Sequence, residues 1–496
     1  MLHRGIFAIL IVFVLLWMVN VSAQEAEKAE ADASYSLISR RQDGDVDLVA
    51  KQIDIAGKLV VQLDPKTGES ISNPARDAKN AENAENAKNA EEAENAGNTK
   101  NAEKKAEPKI QRIPIKVSSK QEYEEVRIAQ GNFAQGETAR STLGAWYFLQ
   151  DATTIQVGET EEKPQLDKNL PLVGVDVREG TVQFFRPNGL LTREEKDLID
   201  LQANTLLLDA LLPNRNGMKV GDTWKLSPDV MALLLQLDLV FQLDMKGTFS
   251  EVKKGIAILS ISGWMEGSSD GTSSKIDVEG KVYFDLKRGR ILWIGLVVRE
   301  NRSAGYVAPG MEVVARLQYR IKPQEQAKHL TEKTLASLTF DEKQYGVLRF
   351  VDPGKRWECQ MDSHWFATTW NEKQATFRLV KGGNLIAQCS IAVPQDGQAS
   401  LKMSIDDFAQ NIRKTLGAGF GEILEQKNSL LDDGTEIYRI DVAGKVDELA
   451  LRWVYYLITK RGENPKQETV VFTVEEKLLP DFGTSDQQII DTFQWH

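Results

Sequence analysis

Within these 496 residues, few side chains have the type and spacing for chemistry. Gly267-Ser268-Ser269-Asp270-Gly271 matches the nucleophile-elbow string, in which a strained strand-to-helix turn exposes a serine. Here the flanking residues read as strand on both sides, so a hairpin loop explains the string. A serine nucleophile also needs a histidine base, and after the leader only His329, His364 and His496 are present. Cys359 shares one extended stretch with His364, and alternation sets the two on opposite faces. Asp43, Asp45 and Asp47 open like a calcium loop, but the loop's sixth and twelfth places hold Leu48 and Asp54 in place of glycine and glutamate. A polar strand edge is the simpler reading. Zinc chemistry lacks CxxC partners for Cys359 or Cys389. These two cysteines invite a single disulfide in an exported chain; two buried thiols acting as small apolar groups are the alternative. Trp357, Trp365, Trp370 and Phe366 are dense enough to stack on a sugar or anchor a partner, yet such aromatics are more often core. The expectation is that the chain is not an enzyme and carries no cofactor and no metal. A hydrolase using Ser269 or Cys359 is the weakest alternative.

The elements that would position these residues follow a leader. An uncharged run from Ile6 to Val19 is 14 residues long, short for a bilayer span of about 20. Val21-Ser22-Ala23 then supplies small residues for cleavage, so residues 1–23 read as a signal peptide. An uncleaved signal-anchor is the rival, and it is the one route to a membrane. The chain is expected to be exported, periplasmic or secreted. Net charge is −11, with no basic stripe for phosphates, which argues against nucleic acid as a partner. An unidentified protein or envelope partner is expected.

Residues 24–76 read as an N-terminal β segment, with Ile53, Ile55, Leu59, Val61 and Leu63 on one face. From Asp77 to Lys109 alanine recurs every third residue between Ala78 and Ala96. That period builds no stable apolar face, so 77–109 reads as a low-complexity tether. Residues 110–324 read as an antiparallel β domain. Strict alternation sets Ile276, Val278, Val282, Phe284 and Leu286 against Asp277, Glu279, Lys281 and Asp285. It also sets Met311, Val313, Ala315, Leu317, Tyr319 and Ile321 against Glu312, Arg316, Gln318 and Arg320. In "VGDTWKLSPDVMALLLQLDLVFQLDM", Ser227-Pro228-Asp229 starts a short helix. From Leu235 the pattern becomes a strand, with Leu235, Leu237, Leu239, Phe241, Leu243 and Met245 on one side. A helix over 192–212, opened by a Thr192/Glu195 capping box and closed by Pro213, is expected to cover the greasy face. Leu237, Phe241 and Leu243 with Leu207 and Leu211 would line any apolar-ligand space between them. Tight packing there is the commoner outcome. In outline only, a curved sheet under helices resembles periplasmic lipoprotein carriers.

Residues 325–344 read as a connector and 345–496 as a second domain. Strands are expected at "QATFRLVK", "NLIAQCSIAV", "GEILEQKNSLL", "TEIYRIDVAG", "LALRWVYYLIT" and "ETVVFTV", with helices from Ser404 and Ser485. The stretch "LRWVYYLIT…GENPKQETVVFTVEE…DQQIIDTF" resembles the end of a PsbP-like domain. The "GDTW" turn resembles secreted bacterial β domains of unknown role. The PsbP-like resemblance implies an α/β sandwich with a central antiparallel sheet and a non-enzymatic binding or assembly role. The expected class is therefore α+β: an antiparallel sheet domain with covering helices, then a PsbP-like sandwich. The expected function is an exported soluble binding or assembly protein, with an apolar-ligand carrier as the alternative.

Overall fold

The computed structural model describes residues 33–63, 109–131, 142–178, 181–339, 345–371, 374–392, 403–462 and 465–496. The leader and all of the alanine-rich tether except Lys109 lie outside them. The first twelve strands are β1 (Val46–Leu63), β2 (Lys109–Ala129), β3 (Thr142–Val157), β4 (Thr160–Glu162), β5 (Leu172–Arg178), β6 (Thr181–Phe185), β7 (Thr223–Lys225), β8 (Leu239–Lys253), β9 (Ile256–Ser269), β10 (Thr272–Asp285), β11 (Arg290–Arg302) and β12 (Gly310–Gln324). They form one antiparallel sheet in the order β6-β5-β3-β2-β1-β12-β11-β10-β9-β8-β7, with β4 on β3. Strands β8 to β12 are a meander, and β12 returns to pair with β1 along Val46–Val60. Strand β1 also pairs with β2, down to Leu63 opposite Lys109. The tether therefore joins two neighbouring strands.

The alternating segments fold as their period dictates. On β10, Ile276, Val278, Val282 and Phe284 are buried while Asp277, Glu279 and Lys281 are exposed. On β12, Ala315, Leu317 and Tyr319 point in and Arg316, Gln318 and Arg320 point out. The inner face is covered by short helices. Helix Arg193–Ile199 begins with the expected capping box, Thr192 accepting from the Glu195 amide. It does not run to residue 212. Ala203 takes a left-handed conformation (φ 63°), and Asn204 caps a separate 3-10 turn, Thr205–Leu211. This break lets Leu206, Leu207, Leu208 and Leu211 all be buried, which one straight helical stripe would not allow.

The leucine-rich window also departs from its reading. The helix spans Pro228–Leu235 and ends at Gln236 in the left-handed region (φ 58°), so the strand starts only at Leu239. A bulge between Val240 and Gln242 then shifts the phase. Leu239 and Phe241 face solvent at 56% and 59% exposure, while Val240 and Leu243 pack against the core.

The remaining strands are β13 (Val347–Val351), β14 (Trp357–Asp362), β15 (Trp365–Trp370), β16 (Gln374–Lys381), β17 (Asn384–Ala392), β18 (Phe420–Leu430), β19 (Thr435–Val446), β20 (Leu449–Lys460), β21 (Lys466–Glu475) and β22 (Gln494–Trp495). They form a three-stranded sheet, β13-β14-β22, and a seven-stranded sheet, β15-β16-β17-β21-β20-β19-β18. Helix Ile405–Leu416, capped by Ser404 and Asp407, buries Phe408 and Ile412 on the outer strands β18–β20.

The α+β expectation of a sheet domain with covering helices followed by an α/β sandwich is overturned. The described residues are 59% strand and 14% helix, and no described helix is longer than the 12 residues of Ile405–Leu416. Helices this short cap sheet faces and cannot build a layer of their own. One apolar cluster also runs from Leu37 to Phe493 and takes residues from both regions. Arg193 bonds the Ser363 carbonyl at 2.7 Å and lies over the Phe366 ring at 4.2 Å, so the first covering helix is seated against β13–β15. Residues 328–330 are pinned as well: the Glu124 carboxylate accepts the amides of Lys328, His329 and Leu330 at 2.7–2.8 Å.

Candidate functional site

Two polar regions mark the large sheet, one inside and one out. Inside, buried Asp47 meets arginines, with half-exposed Asp45 and exposed Asp43 at the rim. Asp47 is gripped through both oxygens by Arg290 at 2.6 and 2.7 Å and approached by Arg41 at 3.2 Å. Asp45 pairs with Arg290 at 2.8 Å, and Asp43 with Arg127 at 3.2 Å. Arg41 also bonds Glu125 at 2.5 Å, whose other oxygen accepts the Trp146 indole at 2.7 Å. Guanidinium groups thus occupy the carboxylates, and the triplet is a structural lock between β1, β2 and β11. Among the described residues no group of three or more His, Cys, Asp or Glu is placed to hold a metal ion. Beside this lock Lys51 is buried under the Tyr319 ring, 5.6 Å from its centre. Burial pushes its amine down to about 7, partly offset by Asp200.

Outside, the even positions of β9, the odd positions of β10 and β11, and the even positions of β12 share the solvent face. Register aligns Ser262, Glu279, Val297 and Arg316 in one row across the strands, and Ser260, Lys281, Gly295 and Gln318 in the next. These rows line a groove of about 450 Å³ with Trp293 at its side. Gly295 is essential to its shape: a Cβ there would sit 2.3 Å from the Trp293 ring, so the indole lies across the sheet over the glycine. Its ring also contacts Tyr283 at 4.8 Å. An aromatic over a strand glycine restores lost packing, and here it leaves a half-buried indole at the side of the groove. Glu279 pairs loosely with Arg299 at 3.7 Å; among the described residues Lys281 and Arg316 form no ion pair. Sequence reasoning took these polar residues only as a solvated face. The one available signal was the tryptophan two places before a glycine in "RILWIG", in the outward phase of its strand.

The residues singled out from sequence are scattered by the fold. Ser269 is buried at the end of β9, where Asp270 and Gly271 turn the chain with φ 49° and 77°, and its carbonyl accepts from Thr272 at 2.7 Å. That is a hairpin, not an elbow. Of the five residues proposed for an apolar-ligand face, Leu207, Leu211 and Leu237 are 1%, 2% and 4% exposed while Phe241 is 59% exposed. Leu243 is half-buried. The bulge in β8 separates them, and they line no common slot. Trp357 and Trp365 are core, at 1% and 0% exposure.

Cys359 and Cys389 are buried, free thiols on β14 and β17. Burial pushes both thiols well above their ordinary range, which removes thiolate reactivity. His364 is turned to solvent, its ring nitrogen 2.6 Å from Asp362. The native chain is therefore expected to take up no thiol reagent, and the unreduced, denatured chain to take up one equivalent at each cysteine. A denatured, unreduced chain that takes up none would establish a disulfide instead.

No family model and no curated protein matches this chain. Solved structures matched over most of its length are porins. One is the outer membrane protein OprD from Pseudomonas aeruginosa, at 10% identity over 90% of this chain and 95% of that one, with a TM-score of 0.12. Others are OccK7 (OpdD) of the same organism, at 9% identity over 87% and 99% with a TM-score of 0.12, and a BenF-like porin from Pseudomonas fluorescens, at 8% identity over 87% and 97% with a TM-score of 0.12. At such scores the likeness carries neither a pore nor a solute to this chain.

These findings withdraw the PsbP-like resemblance and that to secreted β domains, since no family model supports either. Aromatic pairs on a long strand recur wherever an antiparallel sheet buries one face, which is why the pattern misled. The soluble binding or assembly protein inferred from that resemblance falls with it; the carrier and hydrolase alternatives are withdrawn as well, with Phe241 turned to solvent and Ser269 in a hairpin. The chain is exported; the narrower periplasmic or secreted location is withdrawn. No described helix is long and apolar enough to cross a membrane.

Proposed function

We propose that this exported chain acts at the cell envelope by holding an extended envelope polymer along the outer face of its large sheet. The groove over Gly295 carries the reading. It is open and crosses several strands, it has the half-buried indole of Trp293 at its side, and Lys281 and Arg316 stand beside it. A lone surface tryptophan would need no explanation; a tryptophan reaching over a glycine beside rows of polar side chains is suited to contact.

Co-sedimentation with washed envelope fragments tests this. The intact chain is expected to pellet. Trp293→Ala and the fully exposed change Arg316→Glu are expected to stay in the supernatant while keeping the native circular dichroism spectrum. Equal pelleting of both variants and the parent protein would refute the groove as the contact face.

A further inference from the structure

Resting on that reading, we infer that the polymer is an anionic polysaccharide. The first reason is shape. The benzene edge of Trp293 reaches over Gly295, and the half-buried indole offers apolar surface of a kind that suits the C–H face of a pyranose. The two rows are two residues apart along each strand, about 6.7 Å, a step on the order of one sugar ring. Ser260 and Gln318 lie in the row of Gly295 and supply hydrogen-bonding groups matched to sugar hydroxyls.

The second reason is charge. The chain as a whole carries −11, yet the groove is bordered by Lys281 and Arg316, and Arg320 stands opposite Trp293 in the register. All three are exposed. Three acids share this face, Glu279 at 3.7 Å from Arg299, Asp277 opposite the same arginine and Asp54 opposite Arg316, against the four cations Lys281, Arg299, Arg316 and Arg320. What remains is a short cationic stripe on an acidic molecule, complementary to carboxylates spaced along a chain. A nucleic acid fits less well: single strands are held by successive aromatic platforms along a basic channel, and the acidic remainder of this protein would repel a longer polyphosphate.

Titration of the full chain by calorimetry decides it, using an oligogalacturonate as probe, an uncharged glucan of equal length and a single-stranded DNA oligomer as comparisons. Oligogalacturonate is expected to bind, and to bind more weakly as salt is raised. Arg316→Glu is expected to lower its affinity by about tenfold or more, and Trp293→Ala to abolish binding, with Trp293→Phe retaining much of it. Absence of oligogalacturonate binding, equal binding of the glucan or DNA, or an unchanged Arg316→Glu variant would each overturn the inference. If envelope pelleting still depends on Trp293 when oligogalacturonate fails, the groove stands and only its ligand class falls.

Discussion

Asp47→Ala is expected to destabilise the protein by about 3–5 kcal/mol, the cost of removing one partner from a buried ion pair. Asp47 is fully buried and held through both oxygens by Arg290, with Arg41 at 3.2 Å. Deleting its carboxylate leaves two arginines, 10% and 5% exposed at the side chain, with less counter-charge and no water to replace it. The solvent-exposed pair Arg112–Glu312, at 3.3 Å with side chains 48% and 42% exposed, is the control. Glu312→Ala should cost less than about 1 kcal/mol. Urea midpoints of the two variants measure the difference, and similar midpoints would mean that the cluster does not lock β1 to β11.

Lys51→Met should do the opposite. Lys51 is 5% exposed, and burial lowers its amine to about 7, whereas in the unfolded chain it titrates near 10.4. Between those two pH values the unfolded state holds the extra proton, so the stability of the parent protein rises with pH across this window. The rise is on the order of 4 kcal/mol from this residue. Below pH 7 the full penalty of the buried charge is present. Methionine fills a similar volume without a charge. The variant should be more stable at pH 7, and its advantage should shrink toward pH 10. Chemical denaturation of both proteins across that range tests it; parallel pH profiles would show that Lys51 keeps its ordinary basicity in the fold.

Much of the local structure was legible because its cause is local. The two-residue period on β10 and β12 survives intact, since a strand with one buried face leaves no other choice of phase. The capping box at Thr192/Glu195 forms as read, and the helix expected from Ser404 starts there, with Asp407 closing a box that was not read, because each needs only four consecutive residues. The leucine window failed at two points, the start of its strand and the phase that follows. A bulge at Val240/Gln242 depends on what β9 offers opposite it, which the sequence of β8 does not contain. The groove was hidden for the same reason. Trp293, Lys281, Ser260 and Arg316 come from four strands, and only register makes them neighbours.

By itself, then, the order of residues determined an exported chain, the strand periods, the helix starts and the absence of a recognisable catalytic string. Tertiary structure alone decided that the sheets share one apolar core, that the three aspartates face arginines, and that a tryptophan lies over a glycine beside cations. Period and capping are set by neighbours along the chain. Pairing, burial of charge and the shape of a groove are set by residues brought together across it, where desolvation and close packing choose among partners that sequence spacing leaves equivalent.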